Sequence, residues 1–240
     1  QKISLPFTLI AACIAVLFYI SVNAQLSLGY WITFVILLNC CLLIVFRFNW
    51  YLVFPATYLI FIFPLWGTLS VALQEISVVV SSFFMGFTGI SFYVDAPFIQ
   101  IPSGTFEIAN GCSGLRYLIV SMAISSLYIL LFIKNTKKAA LFFFIAVFGG
   151  LLTNWIRITA LIIIGHMTEM EHSLMTDHNS FGWYLFMPFM VGLFIIGNKL
   201  SDHDLTRQIS SSPLELLPSP KNLFIVITIM VLTSTSIPML

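Results

Sequence analysis

The sequence predicts an all-α integral membrane protein of seven to eight transmembrane helices, with an amphipathic helix at the outer face and a short β-hairpin as additions. Three observations lead there. Of the 240 residues, 60% are hydrophobic. Only 8% are charged, against roughly 25% in an average soluble domain. The apolar residues also fall into runs near the roughly 20 residues a helix needs to cross a bilayer.

The runs are Ile3–Val22, Leu28–Phe46, Trp50–Trp66, Ser113–Ile133, Ala139–Gly165, Phe181–Gly197 and Leu223–Ile237. They make seven spans in a single membrane domain over residues 1–240, with no internal repeat. Ile3–Val22 is long enough to be a retained helix rather than a cleaved signal. Cytoplasmic loops collect Lys and Arg, and the densest basic loop is Lys134-Asn135-Thr136-Lys137-Lys138. Placing that loop inside and alternating outward puts Lys2, Arg47, Lys199, Arg207 and Lys221 on the same side. Only Arg116 and Arg157 remain, and they share the outer face with Glu75, Asp95, Glu107, Glu169, Glu171 and Asp177.

Gly67–Gly89 is long enough to span, yet counting it would reverse the first basic residues. Gly, Ser, Thr, Gln and Glu recur along it at helical spacing, leaving one small polar stripe and one apolar face. The stripe lacks Lys and Arg, unlike most helices that lie on lipid. A helix at the outer interface, packed on protein, is therefore expected, with an eighth span as the alternative. Next come Phe98-Ile99-Gln100-Ile101 and Thr105-Phe106-Glu107-Ile108 around Pro102-Ser103-Gly104, a hairpin pattern.

The second arm runs into Asn110-Gly111-Cys112-Ser113-Gly114-Leu115-Arg116-Tyr117. Cys112 is thus expected at the outer start of a helix, where unpaired amides and the helix dipole favour an anion and so raise the thiolate fraction. Cys13, Cys40 and Cys41 sit inside apolar runs without polar neighbours and read as small apolar filler. A disulfide to Cys112 is not expected. Arg157 lies in an otherwise apolar span, which by default means an inward-facing functional residue, and Asn154 three positions earlier shares its face. From Ala139, Arg157 is about 27 Å along the helix at 1.5 Å per residue, near the depth of Cys112. The loop His166–Ser180 holds His166, His172 and His178. Their even spacing does not match the i, i+3 or i+4 pairs of helical metal ligands, so a metal is not expected, and no cofactor is expected. His178 is the most constrained of the three, because it abuts the entry to the next helix, where Trp183 is an interfacial anchor.

Taken together, NGCSGLRY at 110–117, NWIR at 154–157 and DHNSFGW at 177–183 resemble the hallmarks of the exosortases, multi-pass bacterial membrane proteins related to archaeosortases. The resemblance is firmest over residues 67–186, which are expected to form the catalytic core. It implies Cys112 as nucleophile with Arg157 and His178 as its partners. Arg116, Asn154, Asn110, Glu107 and Trp183 would be supporting or substrate-binding residues. It further implies an inner-membrane cysteine protease or transpeptidase with its site on the periplasmic face. Its partners would be membrane lipids and secreted proteins whose C-terminal tail carries a Pro-Glu-Pro-like motif, one transmembrane helix and a basic end, often linked to exopolysaccharide production. Some members of the family continue into a soluble outer domain; here such a domain is either absent or beyond Leu240. The residues suit acyl transfer through a thioester: a nucleophile, a proton donor for the leaving amine and a cation for the oxyanion. Arg116, one turn beyond Cys112, would pair with the motif's carboxylate, and the hairpin would offer a strand edge to the extended tail. No nucleic-acid partner is expected. The alternative is a non-enzymatic membrane component of exopolysaccharide export, with Cys112 inert and Arg157 and Asn154 as a helix–helix contact.

Overall fold

The computed structural model describes residues 5–46, 50–64, 66–176, 178–202 and 224–229. Two compact units emerge, one from residues 1–65 with 213–240 and one from Trp66–Ser212. In the first, α1 (Leu5–Asn23) and α2 (Ser27–Val45) form an antiparallel helical hairpin. Its turn passes through Gln25 in the left-handed region at φ 52°, and Gly29 lets α2 approach the Ser21 side chain. Ala11, Leu37, Cys40, Cys41 and Ile44 bury together with Val226, which fits the reading of Cys40 and Cys41 as apolar filler. Cys13, by contrast, is exposed on α1.

The third expected span is not a span-length helix. Instead α3 covers Trp50–Tyr58 with Pro55 inside it and tightens into a 3₁₀ turn at Leu59–Phe61. A proline removes one ladder donor and crowds the preceding turn, and Pro64 follows shortly after. The seventh expected span lies outside the described residues except for the helical stretch 224–229.

The second unit begins with α4 (Leu69–Met85). By length and apolar composition five helices among the described residues can cross a membrane: Ser27–Val45, Trp66–Met85, Asn110–Phe132, Thr136–Met167 and Ser180–Leu200. Thr8–Asn23, within α1, and Trp50–Phe61 are shorter apolar helices. The segment set aside as interfacial is therefore long and apolar enough to span. The middle of its polar stripe packs on protein, since Ser77 and Ser81 are fully buried, while Glu75 is exposed.

Three short antiparallel strands follow in the order β1-β2-β3. β2 (Phe98–Ile101) pairs with β3 (Gly104–Glu107), with Ile99 opposite Phe106. β1 (Tyr93–Asp95), absent from the expected hairpin, adds to the other edge of β2. Alternation sends Ile99 and Ile101 inward, where Val78, Met85, Ile108, Ile158 and Ile162 complete a core joining the sheet to α4 and to the long helix Thr136–Met167.

The main helices of this unit are α5 (Leu115–Phe132), α6 (Thr136–Met167) and, after the single turn α7 (Ser173–Thr176), α8 (His178–Leu200). At 32 residues α6 is about 48 Å long, well beyond a bilayer core of about 30 Å. The Asn135 side chain caps it by accepting from the Lys137 and Lys138 amides at 2.9 and 3.4 Å. Small residues set the close approaches. A Cβ on Gly150 would stand 2.5 Å from Ser121 Oγ, and one on Gly197 would stand 2.8 Å from the Tyr128 ring. Phe142, Ala146, Phe186, Met190 and Leu193 fill the space between these helices.

Candidate active site

Cys112 closes a 3₁₀ turn, Asn110–Cys112, and α5 opens three residues later at Leu115. The cysteine therefore precedes the helix rather than starting it. The backbone of this turn is held from both sides. Asn154 Nδ2 on α6 donates to the Cys112 carbonyl at 3.0 Å. Trp155 Nε1 donates to Ser77 Oγ at 3.2 Å, and Ser77 Oγ donates to the Ser113 carbonyl at 3.1 Å. Gln74 Nε2 on α4 donates to the Ile108 carbonyl just upstream. Backbone groups buried without partners are costly, so α4 and α6 impose one conformation on residues 108–114. Gly114 completes it at φ +90°, where an added Cβ would lie 2.9 Å from Asn154 Nδ2. Only glycine combines that conformation with that contact.

Arg157, one helical turn beyond Asn154 on α6, is 3% exposed. Its Nη1 donates to Tyr117 Oη at 3.1 Å, and its Cζ lies over the Tyr117 ring at 5.3 Å. Nε and Nη2 have no hydrogen-bond partner among the described residues, and neither does Asn154 Oδ1. Gly182 on α8 makes the seat possible, because a Cβ there would collide with Tyr117 Oη and stand 3.1 Å from Arg157 Nη1. Burying a cation with unpaired donors carries a penalty of several kcal/mol unless an opposite charge or an acceptor arrives. The arrangement is thus suited to receive negative charge.

Cys112 and Arg157 line one cavity of about 250 Å³. Phe106 from β3 and Met170, Leu174 and Met175 from the segment after α6 make its apolar wall. That segment turns back sharply, with Glu169 and Met170 both at positive φ. Met170 packs where Gly104 has no side chain, and Phe106 and Met175 pack where Gly165 has none. A second cavity of about 310 Å³ also has Arg157 in its lining, together with Gly111, Arg116, Tyr117 and Trp183.

The structure therefore joins Cys112, Arg157 and Asn154 into one site. Glu107 lines the Cys112 cavity, whereas Arg116 and Trp183 line the second one. Asn110 opens the 3₁₀ turn and is exposed. His178 is the first residue of α8, and its side chain, like all of Asp177, lies outside the described residues. His166 is half-buried and shares a 2.7 Å hydrogen bond between Nδ1 and Ser103 Oγ at the hairpin turn. His172 is exposed, and its Nδ1 accepts from the Leu174 amide at 3.1 Å. Sequence reasoning missed three contributors: Tyr117, Ser77 and Trp155. For Tyr117 a signal existed in its place directly after Arg116 in the cysteine motif. For Ser77 and Trp155 only the tertiary contact reveals the link. A family model described as transmembrane exosortase matches residues 2–195. No curated protein and no solved structure matches the chain.

Proposed function

The chain belongs to the transmembrane exosortase family, and from that premise we propose that it is a membrane-embedded cysteine protease or transpeptidase acting on C-terminal sorting signals of exported proteins. The observation that carries this reading is the single cavity shared by a half-buried cysteine and a buried arginine with two unpartnered nitrogens. In the proposed reaction the Cys112 thiolate attacks the scissile carbonyl of the tail. Arg157 stabilises the tetrahedral oxyanion, the kind of preorganised charge that contributes most when water is excluded. The C–N bond then breaks, His178 protonates the departing amine, and the acyl half remains as a thioester on Cys112. An amine or hydroxyl acceptor, or water, releases it and regenerates the thiol.

The substrate proposed is a tail with a Pro-Glu-Pro-like motif, one hydrophobic span and a basic end, met at the periplasmic face of the inner membrane. The decisive experiment is co-expression with a reporter carrying such a tail. Cys112→Ala should reach the membrane in normal amount and leave the reporter uncleaved, while Cys13→Ala, Cys40→Ala and Cys41→Ala should process it normally. Cleavage at the wild-type rate by Cys112→Ala would end the reading.

A further inference from the structure

The second cavity shares Arg157 with the first, but Cys112 is not part of its lining. Two features define what it would hold. One end is cationic: Arg116 is exposed and makes no hydrogen bond or ion pair among the described residues, while Arg157 is buried with Nε and Nη2 unpartnered. No carboxylate among the described residues lines the cavity. The other end is apolar. Ile119, Val120 and Phe186 continue the lining along α5 and α8, and Val120 and Trp183 are exposed to 37% and 61%. Both helices are long and apolar enough to cross a bilayer, so their exposed apolar side chains meet lipid. Arg116 sits at the start of α5 and Trp183 near the start of α8, the depth at which headgroups and interfacial tryptophans lie.

A cationic end at headgroup depth that runs into an apolar shaft suits an anionic headgroup with an attached acyl chain. We propose that this cavity binds an anionic phospholipid, with its phosphate between Arg116 and Arg157 and an acyl chain along Ile119, Val120 and Phe186. Such a lipid would place a counter-charge in the cavity beside the buried Arg157. The absence of a side chain at Gly111, which has open space where a Cβ would stand, leaves room for the headgroup. The proposal does not depend on tail cleavage, because binding is read directly.

The test uses the full chain in bilayer nanodiscs doped with lipid brominated on its acyl chains, with Trp183→Phe measured in parallel to isolate the share of fluorescence from Trp183. Brominated phosphatidylglycerol should quench that share more strongly than brominated phosphatidylcholine at equal mole fraction. Arg116→Gln should reduce the preference roughly fivefold, the effect of one basic residue at an anionic surface, and Arg116→Lys should largely keep it. Millimolar inorganic phosphate should not displace the lipid. Equal quenching by the two lipids in the wild type, or a preference unchanged in Arg116→Gln, overturns the proposal. Displacement by inorganic phosphate also overturns it, in favour of a site for soluble anions.

Discussion

At Gly114 a single hydrogen atom in place of a side chain decides the path of the chain out of the cysteine turn. Its φ of +90° disfavours any L side chain by roughly 1–2 kcal/mol, and an added Cβ would push on Asn154, whose amide holds the Cys112 carbonyl. Gly114→Ala should therefore lower both thermal stability in detergent and tail cleavage. An unchanged melting temperature together with unchanged cleavage would show that the turn tolerates the strain. The histidines separate on different grounds. His166 is tied to Ser103 at the hairpin tip and His172 to the Leu174 amide, so each already has a local structural role. His178 has its backbone at the first position of α8, the helix whose Gly182 receives the Tyr117 hydroxyl and the Arg157 head. A general acid contributes at least roughly a hundredfold to rate, so His178→Ala should lose that much in tail cleavage. His166→Ala and His172→Ala should stay within a few-fold of wild type. An essential His166 or His172 beside a dispensable His178, at equal membrane levels, would reverse the assignment.

Between elements, the polar stripe of α4 could be read from its period, but its purpose could not. Ser77 meets Ser113 and Trp155, partners so distant in sequence that no local pattern announces them. The same holds at the other end of the bundle, where Asp202 follows α8. Its carboxylate accepts from the Lys134 and Asn135 amides at 2.9 and 3.3 Å and pairs with Lys138 Nζ at 2.7 Å. The Lys138 hydrogen bond, followed by that from the Lys134 amide, holds the carboxyl down to about 2, against about 3.9 for an unperturbed Asp. Because the folded state binds this proton more weakly than the unfolded one, the stabilisation is fully present above about pH 4. It fades as the pH falls through the lowered value of about 2. Asp202→Asn should therefore be less stable than the wild type near neutrality, and the gap should close on acidification across that window. Thermal denaturation in detergent across that pH range reads it, and a constant gap would show that the pairing contributes nothing through charge.

On the scale of the whole molecule, exposed apolar residues such as Phe83, Phe144, Met187 and Val191 are what a multi-pass membrane protein presents to lipid, as in other chains whose spans pack chiefly through small residues. Which face carries the site is a question of topology. In a variant whose four native cysteines are replaced by Ala, a new cysteine at Ser103 or Ser173 should react with an impermeant thiol reagent from outside, and one at Thr136 should not. Labelling at Thr136 alone would place the proposed active site in the cytoplasm. The sequence by itself determined the membrane class and the family, and it singled out Cys112 and Arg157 as candidates that the fold places on one cavity. Composition and run length set the first, and the others rest on short motifs whose residues are anomalous in apolar surroundings. Only the tertiary structure decided that Trp50–Trp66 falls short of a span while α4 reaches span length, and that a third strand joins the hairpin. It also decided that Tyr117 seats Arg157 and that Arg116 faces a different cavity from Cys112. Each of these depends on which surfaces meet across tens of residues, where burial and unsatisfied polar groups outweigh local propensity.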